Sequence, residues 1–177
     1  MNVALLSTIE TLFSASSITA GIPLEGVQQL VHQEGLETEA YQDSEGNWTI
    51  GVGHTPAYAG EIWTEQQCFS QLFADIQQIG IKPVNRAFPW AKDAGEIRWW
   101  VLVNMSFNMG IMGLQGFTET LQAFQRGDWV TVVKGMQESL WWHQVGRRSQ
   151  ELAYQVYFNE WVVDDLTGEQ GAALAAV

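Results

Sequence analysis

Cysteine is nearly absent from this chain. Cys68 stands alone among 177 residues, so no intramolecular disulfide can form and the fold does not depend on an oxidising compartment. With no activating base close by in sequence, this thiol reads as a small buried hydrophobe rather than a nucleophile. Basic residues are scarce as well: eight Lys and Arg stand against twenty Asp and Glu, a net charge of −12, and none of the eight precedes Lys82. Nucleic-acid binding wants a basic footprint, so that function is excluded. There are three histidines, and no second His or Cys falls at metal-ligand spacing, so no metal is expected. The apolar N-terminal stretch is interrupted by Glu10, and no stable membrane span is expected. Internal repeats and low-complexity blocks are missing too.

Aromatic residues are plentiful instead. Nine tryptophans and an aromatic share of 12% exceed what a small core needs, and aromatic faces make good platforms for sugar rings. A chain of this length buries roughly two-thirds of its unfolded surface, in one domain or two small lobes.

The stretch from Val31 to Thr55, VHQEGLETEAYQDSEGNWTIGVGHT, concentrates polar chemistry. Leu24, Val27, Leu30 and Val31 recur at helical spacing behind Pro23, a good first-turn residue, and Gly35 can take the left-handed position that ends a helix. Glu34 is thus placed at a helix C-terminus. The partial negative charge of that end disfavours a carboxylate and favours the proton-bearing form that a general acid needs. Beyond it, Asp43 leads into the polar turn Ser44-Glu45-Gly46-Asn47. Trp48 to His54 then alternates with a period of two, which predicts a β-hairpin whose glycines allow close approach.

Glu34, eight residues, Asp43, five residues, Thr49-Ile50-Gly51-Val52-Gly53-His54: this pattern resembles the active-site segment of the phage-type lysozymes, glycoside hydrolase family 24. The resemblance implies Glu34 as general acid, Asp43 as the carboxylate facing the far side of the sugar, and Thr49 as a hydroxyl that helps hold the attacking water. Glycosidic cleavage needs this division between a proton donor and an ionised partner. The family resemblance also implies inversion, for which a carboxyl separation of roughly 6.5–9.5 Å is suited, against about 5–5.5 Å for retention. The fold implied is α+β and lysozyme-like, with a small antiparallel sheet lobe and a larger, mostly helical lobe joined by a helix.

The remaining segments extend the resemblance. Residues 1–22 form an N-terminal extension, read as an amphipathic helix packed on the body or on a partner protein, since a secretory signal wants a positive n-region that is lacking here. The lysozyme domain covers residues 23–162, with a sheet lobe over about 35–63, a linking helix over about 64–80 and a helical lobe over about 81–161. Thr64-Glu65-Gln66-Gln67 is a capping box that starts the linking helix. Asp75 stands where the family carries an acid that pairs with the histidine of Gly-x-Gly-His, so a His54–Asp75 ion pair is expected as active-site support. Lys82 to Trp90 reads as a Pro-marked connection. From about Ala94 comes a helix that is apolar nearly all round, a buried axis, and its end, Asn104-Met105-Ser106-Phe107-Asn108-Met109-Gly110, resembles the family's second signature.

By that resemblance Thr55, Phe107, Asn108, Thr120 and Gln144 contact substrate. From the residues alone, Phe107 fits core equally well and Asn108 fits a helix cap. Arg148 is expected to pair with Glu34, favouring the ionised form while the helix end and apolar walls favour the protonated one. Residues 163–177 form a C-terminal tail, either disordered or a docking segment.

The resemblance implies hydrolysis, without cofactor, of the β-1,4 bond between N-acetylmuramic acid and N-acetylglucosamine in peptidoglycan. The partner is then the glycan strand, and the setting either host cytoplasm before release to the periplasm and cell wall, or the virion. A virion protein carrying a lysozyme domain, joined to its assembly through residues 1–22 or the tail, is the alternative. The net charge of −12 opposes long-range steering to a polyanionic wall, and fits a high-salt setting or delivery by attachment.

Overall fold

The computed structural model describes all 177 residues, which group into two compact units, Met1–Gln78 and Ile79–Val177. The fold is α+β: ten α-helices and one two-stranded antiparallel sheet.

The first unit opens with α1, Val3–Ala15, capped by the Asn2 side chain, which accepts from the Leu5 N–H. Ile9 is fully buried and Phe13 meets Phe73 edge-on at 5.9 Å, so α1 is anchored in the core of this unit. α2, Leu24–Glu34, buries Val27, Leu30 and Val31 and stops where Gly35 takes φ 80. A side chain would be strained at that angle, so glycine there fixes Glu34 as the last helical residue. The hairpin follows, β1 over Glu37–Gln42 and β2 over Trp48–Gly51, paired Tyr41 to Thr49 with an irregularity between Glu37 and Tyr41.

The connection after His54 does more than close the sheet. It returns along the free edge of β1, where the Ala40 N–H donates to Glu61 O and the Trp63 N–H to Thr38 O, both at 2.9 Å. An open strand edge has unpaired donors and acceptors, and this return satisfies them. α3, Glu65–Asp75, begins at a full capping box between Thr64 and Gln67 and buries Cys68, Phe69, Leu72 and Phe73.

The chain stays helical beyond the expected end at Gly80. A π-turn over Ile76–Ile81 runs into α4, Lys82–Ala87, where the sequence suggested a connection. Pro83 sits in the first turn of α4, and the carbonyl four residues before it, Ile79 O, accepts instead from the Ser106 hydroxyl at 2.8 Å.

In the second unit α5, Glu96–Gln115, buries every residue from Trp99 to Ser106 and breaks at Gly110, whose φ of 75 is non-helical. Arg98 fastens α5 to the end of α9, Arg147–Phe158: its Nε–H donates to Val156 O at 2.8 Å while the guanidinium lies 4.0 Å over the Trp129 ring. Those last carbonyls of α9 lack helical partners, and a cation there also opposes the helix-end charge. Between lie α6, Thr118–Arg126, α7, Trp129–Gln137, and α8, Leu140–Val145. Asp128 caps α7, its side chain accepting from the Thr131 N–H. α9 ends at Phe158, because Asn159 turns left-handed at φ 56.

Residues 163–177 contain α10, Gly168–Ala175, started by a capping box of Thr167 and Gln170 and holding Leu174 in the interior. No helix of the chain is long and apolar enough to cross a membrane.

Candidate active site

The first unit carries Glu34, Asp43, Thr49, His54, Thr55 and Asp75. Glu34, half-buried at the end of α2, lies directly against Gly53: a Cβ built on that glycine would stand 3.1 Å from Glu34 Oε2. Gly53 also has φ 69, a backbone angle that favours glycine, and a side chain there would press on the Glu34 carboxylate. The absence of a side chain at position 53 therefore makes the seat for the Glu34 carboxylate.

Asp43 is held by its own turn. Its Oδ1 accepts from the backbone N–H of Asn47 at 2.8 Å and of Glu45 at 2.9 Å, and Oδ2 from the Asn47 amide at 3.2 Å. The Asn47 N–H, followed by the other donors, holds this carboxyl below its ordinary 3.8. Hydrogen bonds to the charged form favour ionisation, so Asp43 is an anion at neutral pH, facing solvent. Thr49, on β2, is nearly fully buried, and its hydroxyl donates to Asn47 O at 3.4 Å. The same Asn47 thus ties down both neighbours. Thr55 is exposed, with its hydroxyl 3.3 Å from Trp48 O.

His54 Nδ1 lies 2.8 Å from Asp75 Oδ2, and the other oxygen of Asp75 accepts from Gln71 Nε2 at 2.8 Å. The imidazole also packs on Trp63, rings 5.4 Å apart. This braces the Gly-x-Gly-His segment against α3, and so braces the floor under Glu34.

One residue went unnoticed in the sequence: Tyr41. It pairs across the hairpin with Thr49, and its phenol is held above its usual value by burial first and then by the negative charges of Glu34, Glu37 and Asp43. Its hydroxyl therefore keeps its proton and can donate. The available signal was strand register, since cross-strand partners share a face.

The second unit carries the other expected substrate residues. Phe107 is half-buried near the end of the regular part of α5, so it is neither purely core nor free. Asn108 Oδ1 accepts from Trp141 Nε1 at 2.8 Å, joining α5 to α8 rather than capping a helix. Thr120 lines a groove of about 690 Å³ together with Phe117, Lys134, Glu138 and Trp141. Gly135 lies so close to the Thr120 hydroxyl that no side chain fits there. Gln144 is exposed on α8, and Arg148 is buried at the start of α9, where its Nε–H donates to Asn104 Oδ1 at 2.9 Å.

Comparison with known proteins gives a consistent result. The family model described as phage lysozyme matches residues 31–155. Over 148 residues, 69% of this chain and 26% of the relative, the sequence is 30% identical to the pre-baseplate central spike protein Gp5 of Enterobacteria phage T4. The chain thus spans about a quarter of the length of that spike protein. It is 26% identical over 147 residues to the probable T4-type lysozyme 1 of Dictyostelium discoideum, covering 68% of this chain and 86% of the relative. A shorter stretch of 56 residues, 31% of this chain and 38% of the relative, is 38% identical to an endolysin of Acyrthosiphon pisum secondary endosymbiont phage 1.

Proposed function

The chain belongs to the phage lysozyme family, and from that premise we propose that it is a peptidoglycan hydrolase that cleaves the β-1,4 bond between N-acetylmuramic acid and N-acetylglucosamine. Glu34 in its acid form gives its proton to the glycosidic oxygen as the C1–O bond breaks. A water adds to C1 from the opposite face, and its proton passes to Asp43, so the anomeric configuration inverts. Thr49 helps orient that water, and the Tyr41 hydroxyl offers a further hydrogen bond to the sugar. Thr55, Phe107, Asn108, Thr120 and Gln144 bind the glycan. No cofactor enters.

The observation that carries this reading is the division of labour between the two carboxylates: Asp43 is kept ionised by three donors of its own turn, while Glu34 is seated on a glycine at a helix end. Glu34→Gln keeps the size of the side chain and removes its transferable proton. Release of reducing ends from purified cell walls should fall by roughly 10²–10⁴-fold, the usual worth of a positioned acid, with the circular dichroism of the parent retained. A folded variant that keeps most of its activity sinks the assignment. Proton NMR of the first-formed product, which reports its anomer, tests inversion.

A second reading concerns role rather than chemistry. The similarity to a phage central spike protein and the net charge of −12 favour a lysozyme delivered as part of a virion and acting at the wall during penetration. The endolysin relative favours release of the free enzyme from the host cytoplasm to the wall. Antibody labelling of particles against residues 1–22 or the C-terminal tail separates the two.

A further inference from the structure

The outer face of α3 has a feature that the hydrolytic site does not use. Trp63, Gln66, Gln67, Ser70 and Gln71 line an open recess of about 460 Å³. Gln66, Gln67, Ser70 and Gln71 follow helical spacing and share one face, with Trp63 just ahead of the Thr64 cap.

The tryptophan is fixed rather than loose. Its Nε1–H donates to Glu61 Oε1 at 2.8 Å, its ring packs on His54, and a Cβ on Gly51 would stand only 3.3 Å from that ring. Two of the glutamines are fixed as well. Gln67 Oε1 accepts from both the N–H and the hydroxyl of Thr64, at 2.8 and 3.0 Å, and Gln71 Nε2 donates to Asp75 Oδ1 at 2.8 Å. Those bonds leave Gln67 with amide N–H donors and Gln71 with a carbonyl acceptor, beside the Ser70 hydroxyl. None of the five lining residues is charged, on a chain of net charge −12.

A rigid aromatic ring beside preorganised, neutral donors and acceptors is the chemistry that recognises a pyranose: an apolar ring face plus hydroxyl and acetamido groups. We propose that this recess is an accessory binding site for a glycan strand of N-acetylated hexosamines, lying outside the Glu34 site. It rests on the reading of the chain as a glycan hydrolase. Its service to such an enzyme is retention: a strand held at α3 keeps an acidic protein near a substrate that repels it at long range.

The test uses the full chain carrying Glu34→Gln, so that sugar is bound and not consumed, titrated with a hexamer of N-acetylglucosamine and followed by ¹H–¹⁵N NMR. The Trp63 indole N–H and the backbone amides of Gln66 and Ser70 should shift together along one saturation curve. Ser70→Arg, which fills the recess from an exposed helical position, should weaken that curve at least fivefold while any shift at Gly53 persists. Trp63→Phe keeps an aromatic ring against His54 and should weaken it severalfold. Shifts confined to residues around Gly53, or no change in the curve with both variants, overturn the accessory site. Absence of any shift overturns it as well, and whether the hydrolase reading then survives is read separately, from reducing ends released by the unmutated chain.

Discussion

The hairpin segment around Asp43 and the first two-thirds of α5 are built on opposite plans. Between Asp43 and Thr49 almost nothing large is buried, and shape comes from local hydrogen bonds within seven residues, with Asn47 serving both neighbours. From Trp99 to Ser106 every residue is inside, and shape comes from volume, with Trp100 packed against Trp161 and no exposed surface of its own. Local polar bonds position charge at a surface, where the chemistry has to meet water. Packing positions nothing that reacts, yet it supplies the free energy that lets the strained and polar parts exist. The two regions should therefore fail in different ways.

Trp100→Ala tests the packed side and carries the largest expected effect on stability, about 3–5 kcal/mol for a buried aromatic ring removed. Urea unfolding should show the loss, while hydrolysis per folded molecule stays close to the parent. A variant as stable as the parent breaks the distinction. Gly53→Ala tests the polar side. The left-handed φ of 69 costs an alanine roughly 1–2 kcal/mol, and its methyl would press on the Glu34 carboxylate, so activity should fall by at least tenfold for a modest loss of stability. Full activity there shows that Glu34 does not need its glycine seat.

The smallest effect concerns acid. The Asp43 carboxyl is lowered below its ordinary 3.8 in the folded chain, so the folded state binds that proton less readily than the unfolded one. Its contribution to stability is present above the unfolded value and lost as pH falls through the lower, folded one. Acidification below about pH 4 should loosen the 43–47 turn first, seen as faster amide exchange at Glu45 and Asn47 with α5 unaffected. Replacing Asp43 by Asn should flatten that dependence.

What was legible from sequence follows the same contrast. The end of α2, the hairpin and the α3 capping box were readable because each is decided by residues within four or five positions of one another. α4 is not evident from sequence because Pro83 reads as a break, although its place in a first turn makes it compatible with helix. α10 was missed because Ala and Gly dominate it, although Thr167 and Gln170 spell out the capping box that starts it. Of the site residues, those on the hairpin and at the end of α2 could be placed in advance. The contact of Asn108 with Trp141, the closeness of Gly135 to Thr120 and the position of Tyr41 depend on pairings across elements, which spacing along one element does not reveal.

The first-turn proline of α4 has a practical consequence. Trypsin cuts after Lys and Arg but not where Pro follows, and the first cation of the chain, Lys82, is followed by Pro83. The earliest cleavable bond is thus the one after Arg86. A single protease step delivers residues 1–86 as one uncut peptide bearing Glu34, Asp43, Thr49, His54 and Asp75 together, ready for mass spectrometry of any adduct that a mechanism-based sugar reagent leaves on either carboxylate.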